Sequence, residues 1–67
     1  MNENNVPVTL QYLTQDQLSE FLLIPTRTLE KWRLAESGPP YIKIARHVRY
    51  RVESVEAWLQ TMKVITQ

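Results

Sequence analysis

The chain has 67 residues, no cysteine, one glycine, and eight Lys and Arg against seven Asp and Glu, for a net charge of +1. That describes one small domain without disulfides or a thiolate metal site, and Gly38 alone cannot build a glycine-rich phosphate loop. One histidine and scattered carboxylates offer neither a nucleophile–base pair nor a metal cluster, so the expectation is a protein that is not an enzyme and carries no cofactor or metal.

Residues 1–11 are polar and asparagine-rich around Pro7 and read as a flexible N-terminal arm, in which Val8 and Leu10 alternate with polar neighbours and allow a short strand. Met1–Thr9 lacks the basic start and apolar stretch of a signal peptide. The longest apolar run, Phe21–Ile24, falls far short of the ~20 residues that span a bilayer. A cytoplasmic protein with no membrane contact is expected.

Thr14 and Gln17 form the T-x-x-Q pattern of a capping box, in which each side chain satisfies a free backbone N–H of the other's region. Leu18, Phe21 and Leu22 follow at i, i+3 and i+4 as one apolar stripe, predicting a first helix over about residues 15–23. Pro25 cannot continue that helix but suits the start of another, predicted over about residues 26–35. Leu29 and Trp32 share its inner side, while Arg27, Glu30, Lys31 and Leu34 point the other way. Two short helices separated by three or four residues have the layout of a helix-turn-helix.

Ser37-Gly38-Pro39-Pro40 forces an extended turn. Beyond it, Ile42 and Ile44, then Val48 and Tyr50, alternate with basic residues, predicting a hairpin over a three-residue loop Ala45-Arg46-His47. That register gives one apolar face of Ile42, Ile44, Val48 and Tyr50 and one basic face of Lys43, Arg49 and Arg51, the apolar face resting on the helices. Val52, Val55, Leu59 and Met62 recur with helical spacing and predict a last helix over about residues 52–62, with Trp58 on its flank and no evident capping side chain before it. Residues 63–67 read as a C-terminal tail.

Charge is sorted along this plan. Seven of the eight basic residues lie between Arg27 and Arg51, against Glu30 and Glu36 only, a local net charge of +5; the rest of the chain carries −4. A cationic helix face beside a cationic hairpin is the footprint of a polyanion binder, and nucleic acid is the commonest polyanion.

Several segments together resemble the small winged helix-turn-helix domains of the excisionase and AlpA-like group, relatives of the DNA-binding head of MerR-type regulators. They are Leu13-Thr14, the run from Arg27 to Arg33, the run from Gly38 to Ile44, Val48-Arg49-Tyr50-Arg51, and Val55-Glu56-Ala57-Trp58-Leu59, spanning about 48 of the 67 residues. The resemblance implies an α+β, mostly α, fold of three helices plus a two-stranded hairpin wing, occupying residues 12–62. It implies a second helix in the major groove, with Thr26, Arg27, Glu30 and Lys31 facing the groove and Arg46 and Arg49 on the wing. Arg33 on that helix, and Lys43, Arg46, Arg49 and Arg51 on the wing, are then the cations expected to position the domain on phosphates. Two departures stand out: Ala45 where the family usually has glycine, and Pro25 where a small polar residue is usual. With glycine absent from the loop, Arg46 or His47 is expected to take the positive φ that a three-residue hairpin needs.

Most of these residues also have plain structural roles. Trp32 and Trp58 sit in apolar registers and read as core; Glu30 and Lys31 suit any solvated helix face; Lys43, Arg49 and Arg51 suit an edge strand. Arg51 can instead tie the hairpin to Glu53, and His47 reads as an exposed turn residue.

The expected function is that of a sequence-specific double-stranded DNA-binding protein of mobile-element or prophage type. It would act as an excisionase (a recombination directionality factor) or a small transcription regulator. An integrase or RNA polymerase, and cooperative self-association on DNA, are the further partners this implies. The alternative is a protein-interaction module docking an acidic partner.

Overall fold

The computed structural model describes residues 11–65; the arm's remaining residues, with the strand expected at Val8 and Leu10, and the last two residues lie outside it. The described residues form β1 (Tyr12–Leu13), α1 (Gln15–Leu22), α2 (Thr26–Leu34), β2 (Ile42–Ile44), β3 (His47–Arg51) and α3 (Val52–Leu59). Both expected helices of the helix-turn-helix, the hairpin and the third helix are present. The third helix ends at Leu59, three residues earlier than its periodicity predicts.

The capping box closes as expected: Gln17 N–H donates to Thr14 Oγ1 at 3.1 Å and Thr14 N–H to Gln17 Oε1 at 2.9 Å. α1 stops on Leu23, which turns left-handed at φ 58°, so that Ile24 N–H reaches Ser19 O. α2 ends the same way without a glycine: Glu36 takes φ 55°, and Ser37 N–H bonds back to Trp32 O at 2.8 Å. Gly38, at φ +82°, then lies flat on Trp32, where a Cβ would stand 2.8 Å from the indole Cε3. No other residue fits both that backbone and that gap.

The sheet has three strands, in the order β1-β3-β2, and β1 was not expected from the pattern. Tyr12 pairs with Arg51 and Leu13 with Tyr50. This short strand also completes α3, because Gln11 O accepts Val52 N–H at 2.9 Å. A backbone carbonyl thus supplies the cap for which no side chain is present.

Leu13, Leu18, Leu29, Tyr50 and Val55 form the buried core, with Leu22, Ile24, Trp32, Val48, Val52 and Leu59 packed around it. Trp32 and Trp58 meet with ring centroids 5.7 Å apart and join α2 to α3, the structural role expected of them. Phe21 departs from its expected place, being 52% exposed. A two-turn helix on so small a core buries a narrow arc around Leu18 and Leu22, and Phe21 lies at its edge.

The hairpin register is the main correction. Ile42 stands opposite Arg49, Lys43 opposite Val48 and Ile44 opposite His47. The loop is therefore the two residues Ala45-Arg46, and a one-residue slip turns β2 over relative to the expected pairing. Val48 and Tyr50 do face inward, but Ile42 and Ile44 share the outer face with His47, Arg49 and Arg51, and Lys43 turns to the inner side.

Ala45 takes the positive φ, 55°, in place of the expected Arg46 or His47. Only the first of two loop residues is left-handed, the φ pattern of a type II′ turn, where glycine is favoured. Ala45→Gly should therefore raise stability by about 0.5–1 kcal/mol, the relief of the left-handed Cβ clash less the added freedom of the unfolded chain. The thermal midpoint should climb by about 2–8 °C. A fall in the midpoint would mean that Ala45 is not held in that conformation.

Candidate nucleic-acid interface

The α1–α2 pair is joined by Leu23, Ile24 and Pro25, and Ser19 Oγ donates to Ile24 O across the turn. Pro25 caps α2 with its carbonyl, accepting from Thr28 N–H at 3.0 Å and Leu29 N–H at 3.3 Å, with no side-chain cap. Burial of Leu29 fixes the rotation of α2, and that rotation leaves Arg27, Glu30, Lys31 and Leu34 exposed along its outer side. Thr26 is half-buried at the first position. The four outer residues follow i, i+3, i+4 and i+7, one continuous stripe over two turns.

Glu30 has a partner that spacing along one helix could not reveal: Gln15 Nε2 donates to its Oε2 at 3.0 Å. The bond ties the first residue of α1 to the middle of α2 and holds the carboxylate at a set height on the outer stripe.

Arg33 is turned inward from that stripe. Its Nη1 donates to Tyr50 Oη at 2.7 Å, and its guanidinium carbon lies 5.7 Å from the centroid of the Tyr41 ring, which it covers. The contact couples α2 to β3 and gives the hydroxyl of the core's largest fully buried side chain a partner. Arg33 also lines the hollows on either side of it. One, about 420 Å³, lies between α2 and the wing and is bordered by Leu34, Tyr41, Lys43 and Arg46; the other lies between the start of α1 and Arg46, His47 and Arg49.

The wing residues divide between two faces. Lys43 and Arg46 border the hollow beside α2, whereas Arg49 lies on the outer face, half-buried, with Nη1 donating to Val48 O at 2.8 Å. Arg51 reaches Glu53 at 3.1 Å, the exposed pair that was the structural alternative for it. Exposed pairs of this kind are worth about 0–1 kcal/mol, so Arg51 is not locked by it. Thus Glu30, Lys43 and Arg46 come together around one hollow with Arg33 lining it, and Arg27 and Lys31 lie along the same exposed stripe of α2 as Glu30. Arg49 borders the second hollow with Arg33 and Arg46, while Arg51 stands apart beside Glu53. Pattern alone left out Gln15, Tyr41 and Leu34; of these only Leu34 carried a signal, its place on the outer stripe.

The described residues hold no helix long and apolar enough to cross a membrane. Two helices at a short turn, with an exposed stripe on the second and a basic hairpin beside it, define a winged helix-turn-helix domain. The family model described as a helix-turn-helix domain matches residues 12–63, and the chain belongs to that family, which includes the excisionase and AlpA-like proteins. No curated protein matches the chain. Helix-turn-helix domains bind DNA through their second helix, so DNA is the class of partner that membership suggests.

Proposed function

We propose that the protein is a sequence-specific double-stranded DNA-binding protein that reads the major groove with α2 and grips the flanking backbone with its wing. The observation that carries this is the juxtaposition of Glu30 and Leu34, on the exposed stripe that also bears Arg27 and Lys31, with Lys43 and Arg46 across one shared hollow. Arg27 and Lys31 suit the acceptors of guanine, and Glu30 suits the N4 amino group of cytosine. Lys43, Arg46 and Arg49, with Arg33 and Arg51 as further cations, contact phosphates, which orient the domain but carry no sequence information. Thr26, at the start of α2, completes the base-facing set.

The domain acts in the cytoplasm on the DNA of a mobile element or prophage, as an excisionase beside an integrase or as a small transcription regulator beside RNA polymerase. Cooperative self-association on neighbouring sites fits either role. A second reading, docking of an acidic protein, draws support from the outer sheet face, where exposed Tyr12, Ile42 and Ile44 accompany Arg49 and Arg51.

Selection of bound duplexes from a random pool separates the two readings. DNA reading predicts one enriched motif, relaxed at specific positions by Arg27→Ala and unchanged in sequence by Arg49→Ala, which should weaken every duplex about equally. Recovery of unenriched DNA, with retention of acidic protein instead, would leave the second reading standing.

A further inference from the structure

Leu34 closes the outer stripe of α2, two turns beyond Arg27, and is 88% exposed. An isolated exposed leucine needs no explanation. This one is different in its setting: Glu30, Arg33, Lys43 and Arg46 border the same hollow, so a fully presented apolar side chain stands among charged groups at the edge of the cationic face. The other apolar contributors there are Tyr41, whose ring is covered by Arg33, and Val48, which is half-buried against the core. Burying Leu34 against a charged partner would leave its methyls unmatched. A polyanion with an apolar group projecting from its surface fits the charges and the leucine together, and the 5-methyl group of thymine in the major groove is such a group.

We propose, resting on the reading of α2 as the groove-facing helix, that Leu34 is a specificity-determining residue that selects thymine through its 5-methyl group. Four side chains at i, i+3, i+4 and i+7 can all reach base edges when a helix lies along the groove. Seven residues of helix advance about 10 Å, or about three base steps at ~3.4 Å each. The thymine therefore lies about three positions from the base governed by Arg27, on the side nearer the wing.

The test replaces thymidine by deoxyuridine, one position at a time, in the duplex recovered by selection. Deoxyuridine keeps the pairing edge and removes only the methyl. Wild-type protein should lose about fourfold in affinity at one position, the size expected for one buried methyl-sized group. Leu34→Ala should bind the thymine duplex about fourfold more weakly and be indifferent to deoxyuridine at that same position. As an exposed change to the best helix former it should leave the thermal midpoint unaltered. Equal deoxyuridine sensitivity in both proteins, or none in either, would overturn the assignment of Leu34 while leaving groove binding by α2 intact. Failure of wild-type protein to retain any duplex would overturn both.

Discussion

Leu29→Ala is expected to leave the domain largely unfolded at room temperature. Leu29 is 0% exposed and lies where α2 meets the core, with Leu18, Tyr50 and Val55 as the other fully buried side chains. Truncating a buried leucine to alanine costs about 2–5 kcal/mol, from lost transfer energy and from the cavity left behind. A domain of this length without disulfides holds only about 3–5 kcal/mol in total. The loss therefore consumes most of the stability, and helical circular dichroism should show a large unfolded fraction before any heating. The same substitution at Leu34, five residues along the same helix and 88% exposed, should barely move the midpoint. A Leu29→Ala protein melting within a few degrees of wild type would mean that α2 is not anchored by that side chain, and the rotation that exposes the outer stripe would lose its basis.

Much of this fold is legible in the chain, for local reasons. The Thr14–Gln17 box and the breaks at Pro25 and Gly38 act over three or four residues, and both helices of the helix-turn-helix follow from them. The Trp32–Trp58 contact is foreshadowed by two aromatic residues in apolar helical registers. What escaped is set at long range or by turn chemistry. β1 has two residues, too few for any alternation, and exists because Leu13 finds Tyr50. The hairpin register depends on whether the loop takes two residues or three, and the alternating pattern of β2 and β3 suits both. Ala45, without the flexibility of glycine, gives no warning that it is the left-handed residue.

The candidate site was legible in the same uneven way. The stripe on α2 follows from helical period and emerges as drawn, with Arg27, Glu30 and Lys31 exposed. The wing does not, because the register slip moves Lys43 toward α2, while Arg49 stays on the outer face at the rim of the hollow it shares with Arg33 and Arg46. The partners of Glu30 and Arg33 lie on other elements, at Gln15 and at Tyr50 and Tyr41, and no spacing within α2 encodes them.

The largest effect on binding should come from salt. Each phosphate neutralised by a cation releases condensed counterions, so log affinity falls with log salt at about −0.9 per contact on duplex DNA. Lys43, Arg46 and Arg49 have no acidic partner among the described residues, whereas Arg51 is paired with Glu53 and Arg33 is bonded to Tyr50. Three contacts give a slope of about −3, and all five give about −4.5. Tenfold more salt thus costs three to more than four orders of magnitude in affinity, roughly 4–6 kcal/mol, a larger change than any single substitution at the surface should produce. Removing Arg49 should flatten the slope by about one contact's share, which would separate a true phosphate contact from a charge that merely sits nearby.

The direct measurement is a titration of fluorescent duplex with the whole chain at several monovalent salt concentrations. A grip made by three to five of these cations gives a straight log–log line with a slope between about −3 and −4.5, shallower in Arg49→Ala. A slope near zero, or one that Arg49→Ala leaves unchanged together with Lys43→Ala and Arg46→Ala, would contradict a DNA grip built from these wing cations.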